Sequence, residues 1–198
     1  MRTPLSLFFM TSPQSLKDRL QWFVLRIKWR HESDVNDHLV SEGIPTFLPW
    51  HYVIKRRANG HKERVLQNAI PELLFVYASY NYLDAFMRKM KHLYNYDIYF
   101  EKYISDSRRH ILVVPDYQMR NFINVASRYT EDILYVKPEE VQLNKGVRVR
   151  VHGGPFDGLE GELLRLKGKR SKRVVVRIDQ LAVVAASVIE PDLLEILS

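Results

Sequence analysis

Residues 143–173 read LNKGVRVRVHGGPFDGLEGELLRLKGKRSKR, and this stretch decides how the second half of the chain folds. Val147-Arg-Val-Arg-Val151 alternates β-branched and charged residues with period two, the pattern of a strand with one buried face. It runs into Gly153-Gly154-Pro155-Phe156-Asp157-Gly158-Leu159-Glu160-Gly161. Paired glycines and a proline mark a sharp reversal, and Gly158 and Gly161 supply positions for positive φ or close backbone approach. Phe156 stands where it would plug the open end of a small barrel. A second strand and a basic turn follow, with Arg165, Lys167, Lys169, Arg170, Lys172 and Arg173. Strand-like runs recur at 147–152, 160–166, 173–179, 182–187 and 193–197, so a small β-barrel is predicted here.

Working outward, the polar segment 135–143 reads as a linker. Ahead of it, Trp22-Phe-Val-Leu-Arg-Ile27 is rich in aromatic and β-branched residues and predicts a central strand. Val35, Leu39 and Val40 recur at helical spacing between 30 and 43, and Gly43 is a natural C-terminal stop. Residues 44–54 return to extended structure, bent by Pro45 and Pro49. Asn59-Gly60, at the centre of a basic run, predicts a type I′ hairpin. Residues 71–77 read as a buried strand, and 81–93 as a helix with Leu83, Phe86, Met87 and Met90 on one stripe. Tyr99-Phe100 and 111–114 add strand, and Pro115 opens a helix carrying Met119, Phe122, Ile123 and Val125. Ser12-Pro13 predicts a short helix over 11–21. The order β-α-β-hairpin-β-α-β-α predicts an α+β fold, an antiparallel sheet with helices packed on it. The domain scheme is an extension over 1–20, a first domain over 21–134, a linker over 135–143 and a second domain over 144–198.

Composition narrows the function. The 198 residues are 46% hydrophobic and 27% charged, ordinary for a soluble protein, and contain no cysteine, which removes disulfides and thiolate metal sites. The net charge of +7 invites an acidic or nucleic-acid partner. Residues 139–198 carry 10 Lys/Arg against 9 Asp/Glu, so most of the excess lies earlier. The short apolar start, broken by Pro4, reads as a loose leader, and no run reaches the roughly 18 apolar residues of a membrane span. The seven histidines show no H-E-x-x-H spacing, and there is no Walker phosphate loop. No enzyme, metal or cofactor is expected. Lys55, Arg56, Arg57, Lys62 and Arg64, around Asn59-Gly60, are placed to neutralise nucleic-acid phosphates without reading sequence.

The Gly-Pro-Phe-x-Gly-x-x-Gly unit, with its flanking strands, closely resembles the KOW motif, here Gly153, Gly154, Pro155, Phe156, Gly158 and Gly161. NusG-type transcription factors pair that motif with an N-terminal NGN domain, and residues 22–127 are similar to it in order. Trp22-Phe-Val-Leu25 resembles its opening W-Y-V-V strand. Ile70-Pro71-Glu72-Leu73-Leu74-Phe75-Val76 resembles its F-P-G-Y-V-F-V segment, with Glu72 in place of glycine and Leu73 in place of the aromatic. Residues 25–32 look like the UpxY group, paralogues that promote readthrough of capsular polysaccharide operons.

The resemblance implies an NGN α/β sandwich followed by an SH3-like KOW barrel, in a monomeric cytoplasmic elongation or antitermination factor. It implies docking on the clamp helices of the RNA polymerase largest subunit through Val24, Ile70, Leu73 and Phe75, with Leu73 and Phe75 facing outward. Lys28, Trp29 and Arg30 would face non-template DNA, where Trp29 would stack on an unpaired base. Nascent RNA is a further candidate, and ribosomal protein S10 or Rho would meet the KOW domain. The alternative is an RNA-binding or ribosome-associated KOW protein.

Overall fold

Strand β1 (Gln21–Ile27) is the hub of the first half of the chain. In this computed structural model, which describes residues 17–128, 133–136, 146–165, 172–179, 181–185 and 191–197, β1 pairs antiparallel with three strands. Strand β5 (Leu73–Ala78) runs along its whole length, from Gln21 opposite Ala78 to Arg26 opposite Leu73. On the other side lie β6 (Ile98–Phe100) and β9 (Val113–Val114). Strand β2 (Thr46–Phe47) extends the sheet beyond β5.

Side-chain alternation along β1 sends Phe23, Leu25 and Ile27 to one face and Val24 to the other. The first set joins Leu74, Val76 and Ala78 beneath helices α1 (Glu32–Ser41) and α2 (Tyr80–Tyr94). The second face carries Val24, Leu73 and Phe75 beneath helix α3 (Asp116–Ala126), with Met119, Phe122 and Val125 pressed onto them. The sheet is covered on both sides, which explains why 22–27 and 73–76 read as nearly continuous apolar runs.

Local chemistry sets the helix ends. Gly43, at φ 76°, closes α1 in a Schellman arrangement: its N–H donates to Val40 and the Ile44 N–H reaches back to Leu39. Ser79 Oγ accepts from the Tyr82 N–H to open α2, and Asn95 ends it in the left-handed region. The expected helix over 11–21 does not extend through its described end, since 17–19 form a turn; 11–16 lie outside the described residues.

Two ribbons stand apart from the main sheet. Strands β3 (Trp50–Arg56) and β4 (Lys62–Asn68) form the expected basic hairpin. Its turn is not type I′: within the loop only Gly60 has positive φ, at 81°, and Asn59 instead uses its side-chain oxygen to accept from the His61 N–H. That Asx contact lets a longer loop replace the two-residue turn. A second hairpin, for which no strand pair is predicted from the sequence, joins β7 (Lys102–Ser105) to β8 (Arg108–Ile111). Here Asp106 and Ser107 take φ values of 50° and 61°, the positive-φ pair of a tight two-residue turn.

The second half forms a six-stranded antiparallel sheet in the order β10-β14-β13-β12-β11-β15. Its strands are β10 (Leu134–Val136), β11 (Val147–Val151), β12 (Glu160–Arg165), β13 (Lys172–Ile178), β14 (Ala182–Ala185) and β15 (Leu194–Ile196). Among the described residues the pairing is an open path with β10 and β15 at its ends. Strand β10 enlists Tyr135 and Val136, which the sequence reading assigns to the linker; 137–143 lie outside the described residues. Val149, Val151, Leu159, Val174, Val176 and Ile178 fill its apolar face. Helix α3 joins the same apolar cluster, and just past β13 the buried Gln118 donates to Asp179 Oδ2 at 2.7 Å and accepts from its N–H at 3.3 Å. The chain is therefore a mixed α/β protein of antiparallel sheets with three α-helices among the described residues.

Candidate functional site

Three of the four expected polymerase-docking residues are not on the surface. Val24 and Phe75 are 0% exposed and Leu73 is 3% exposed, while Ile70 is partly buried at the edge of the same cluster. The expectation that Leu73 and Phe75 face outward is corrected here. Alternation separates two faces but says nothing of what covers each, and α3 covers this one: the Phe75 and Phe122 rings lie 5.4 Å apart.

The departure at Glu72 has a structural explanation. Leu73 N–H donates to Ile70 O at 3.2 Å, and Glu72 sits at φ 66°. Proline second and positive φ third is the pattern of a type II turn, which usually takes glycine at the third position. A side chain held there costs on the order of 1–2 kcal/mol. Glu32, at the first turn of α1 and 5% exposed, offsets it. Its carboxylate accepts the Glu72 N–H at 2.5 Å and the Asn68 amide at 3.3 Å. The Glu72 side chain in turn pairs with Lys28 at 3.1 Å and Arg26 at 3.3 Å, and those cations hold its carboxyl below the usual carboxylate range, Lys28 most strongly. No signal in the sequence alone pointed to Glu32.

The Lys28-Trp29-Arg30 turn is displayed openly. Trp29 and Arg30 adopt φ of 63° and 61°, and Trp29 is 78% exposed. Two consecutive side chains in the left-handed region are uncommon and mark a segment fixed by its surroundings. Glu72 and then Tyr99 raise the Lys28 ammonium above its ordinary pKa. Arg30 shares one cavity of about 270 Å³ with Lys55 of the β3–β4 ribbon, so the fold brings the two predicted basic groups together.

The remaining hairpin cations spread along that ribbon. Arg56 and Lys62 face each other at its turn end, Arg57 pairs with Glu63 at 2.7 Å, and the Arg64 guanidinium lies 4.0 Å from the Tyr52 ring centre. Cross-strand partners share a face, so Tyr52, Ile54, Leu66 and Arg64 form one surface. Tyr52 is 40%, Leu66 42% and Ile54 69% exposed, an apolar strip flanked by cations. The consecutive apolar residues Tyr52, Val53 and Ile54 ahead of the basic run are the signal for it in the sequence.

In the glycine-rich unit, Gly153 and Gly154 have positive φ and Gly154–Phe156 form a 3-10 turn with Pro155 at its centre. Asp157 Oδ1 accepts the Gly153 N–H at 2.5 Å, and Gly158 N–H returns to Val151 O at 2.8 Å. Gly161 is required for close approach: a Cβ there would stand 2.7 Å from the Val175 carbonyl oxygen. Phe156 is half-buried against the main cluster, with Arg128 5.0 Å above its ring. Of the basic loop, Lys167, Lys169 and Arg170 lie outside the described residues, and Arg165 pairs opposite Lys172 across β12 and β13, one step from Arg173.

Among the described residues no group of three His, Cys, Asp or Glu side chains gathers as a metal site, and no helix is long and apolar enough to cross a membrane. An α/β unit carrying a displayed tryptophan turn and a basic, half-apolar ribbon has the make-up of a macromolecular binding module. The family model described as "Transcription termination factor nusG" matches residues 20–123. That span covers more than half of the chain, which belongs to the NusG family of transcription elongation and antitermination factors. No curated protein matches the chain.

Proposed function

We propose that this protein is a non-enzymatic elongation factor that docks on RNA polymerase and sustains transcription through pauses or terminators. The observation that carries the reading is the exposed apolar strip of Tyr52, Ile54 and Leu66, bounded by Arg56, Lys62 and Arg64, on a unit matched by the NusG family model. A few exposed apolar anchors that exclude water dominate affinity in such contacts. The cations beside them screen nearby nucleic-acid phosphates, and the exposed Trp29 ring stacks on an unpaired base. Non-template DNA or nascent RNA is the nucleic acid within reach of such a surface. The C-terminal sheet, with its KOW-like turn, is proposed as an SH3-like unit that recruits a second protein, ribosomal protein S10 or Rho. The UpxY resemblance extends the proposal to antitermination of a polysaccharide operon in the cytoplasm.

The test is retention of core RNA polymerase on the immobilised protein, comparing wild type with Ile54→Asp plus Leu66→Asp. Both positions are exposed, so circular dichroism is expected to show an unchanged fold. Loss of two anchors worth about 2 kcal/mol each weakens binding by on the order of 1,000-fold. Full retention of polymerase by the folded variant refutes the strip as the anchor. A wild type that ignores polymerase but binds RNA transfers the protein to the ribosome-associated reading.

A further inference from the structure

Strand β6 is the edge of the main sheet, since β1 is its sole partner among the described residues. Two cavities line that edge, one of about 620 Å³ running past α2 and one of about 430 Å³ reaching the β7–β8 ribbon. They share Tyr99, Phe100 and Lys102 and so form one furrow. Its far end is built by the ribbon face on which Lys102, Ile104 and Arg109 lie together, because Ile104 stands opposite Arg109 and Lys102 two residues before Ile104. Tyr99 is 41% and Ile104 71% exposed.

The electrostatics favour an anion. Glu101, the acid in this wall, is taken by Arg26 at 2.6 Å, and Asp84 is paired with Arg88. Lys102 and Arg109 form no ion pair with any described residue. An exposed aromatic ring in an open furrow shared with two cations that form no ion pair among the described residues matches a polyanion that also offers flat π-faces. Single-stranded nucleic acid has both properties, whereas paired bases hide their faces.

We propose that the β6 edge and the β7–β8 ribbon form a track for single-stranded nucleic acid, in which Lys102 and Arg109 neutralise phosphates and Tyr99 stacks a base. The site is separate from the β3–β4 ribbon and does not depend on polymerase docking. Its geometry makes an internal control: Arg108 shares the opposite ribbon face with Tyr103 and His110, away from the furrow.

The experiment is fluorescence anisotropy of the purified full chain with oligo-dT or oligo-U of about 12 nucleotides, at several salt concentrations, with a matching duplex alongside. Removing two phosphate contacts, as in Lys102→Gln plus Arg109→Gln, lowers the log–log salt slope by about 1.4. At 0.1 M salt the same change weakens binding about 20-fold. Tyr99→Ala weakens it about tenfold, Tyr99→Phe restores it, and Arg108→Gln leaves it within about twofold. A thio-substituted oligonucleotide is expected to photo-crosslink to the peptide bearing Tyr99, and the dT and U arms distinguish DNA from RNA as its source. An unchanged slope in the double variant overturns the proposal, as does equal loss in Arg108→Gln. Unchanged oligonucleotide affinity together with lost polymerase retention also refutes it, assigning the ribbon to a protein partner.

Discussion

Replacing Glu32 by alanine is the sharpest probe of how this fold holds its turn at Glu72. Glu32 is 5% exposed and accepts from the Glu72 N–H at 2.5 Å, so its loss leaves a sequestered donor unpaired. A hydrogen bond to a charged acceptor contributes about 1.5–3 kcal/mol. Its position in the first turn of α1 adds about 0.3–1 kcal/mol through the helix dipole. The expected cost is therefore about 2–4 kcal/mol, and at roughly 2–4 °C per kcal/mol for a chain of this size the melting temperature drops by about 4–16 °C. Glu32→Gln keeps an acceptor oxygen and is expected to lose only about 1 kcal/mol. Glu72→Gly removes the left-handed side chain along with its partly exposed ion pairs, two effects of about 1 kcal/mol and opposite sign. Because a glycine turn has more room to relax, Glu32→Ala in the Glu72→Gly background is expected to cost about 1 kcal/mol less than in wild type. Urea unfolding followed by tryptophan fluorescence measures the four variants against wild type. A Glu32→Ala cost below about 0.5 kcal/mol, or strict additivity with Glu72→Gly, would refute the coupling between buried carboxylate and strained turn.

Three further outcomes are expected. Burial lowers the His51 pKa below its ordinary value of 6.5, so the unfolded chain binds the proton more tightly. Stability is then greatest above pH 6.5 and falls as pH drops through the folded-state value; His51→Gln removes that component from a pH series of unfolding curves. Gly161→Ala places a Cβ 2.7 Å from the Val175 carbonyl oxygen and 2.8 Å from Val174 Cγ1. Backbone must shift, and a loss of about 2–3 kcal/mol is expected in denaturant unfolding, against a near-neutral outcome if the strands separate freely. Gln118→Ala removes the reciprocal bonds to Asp179, leaves that carboxylate without its α3 partner, and is expected to speed amide exchange along α3 and β13 at least several-fold.

The elements with strong local signals were legible. The aromatic and β-branched run at 22–27, the Gly43 stop, the stripe of Leu83, Phe86 and Met90, and the Val147–Val151 alternation all name their structures through short-range chemistry. The Asn59-Gly60 hairpin was legible as a hairpin, but its turn type rested on one Asx hydrogen bond. The β7–β8 ribbon went unseen because its turn is Asp106-Ser107 and not the glycine-bearing pair that usually flags such a reversal.

The candidate surfaces divide differently. Sequence alone determined which residues carry charge or an indole ring, and so named Lys28, Trp29, Arg30 and the basic hairpin. Only the tertiary structure decided that Val24, Leu73 and Phe75 lie beneath α3, that Arg30 and Lys55 share a cavity, and that Glu32 reaches across 40 positions to Glu72. The physical reason is that periodicity encodes which side chains share a face, whereas exposure depends on what distant segment packs there, a property no local window contains.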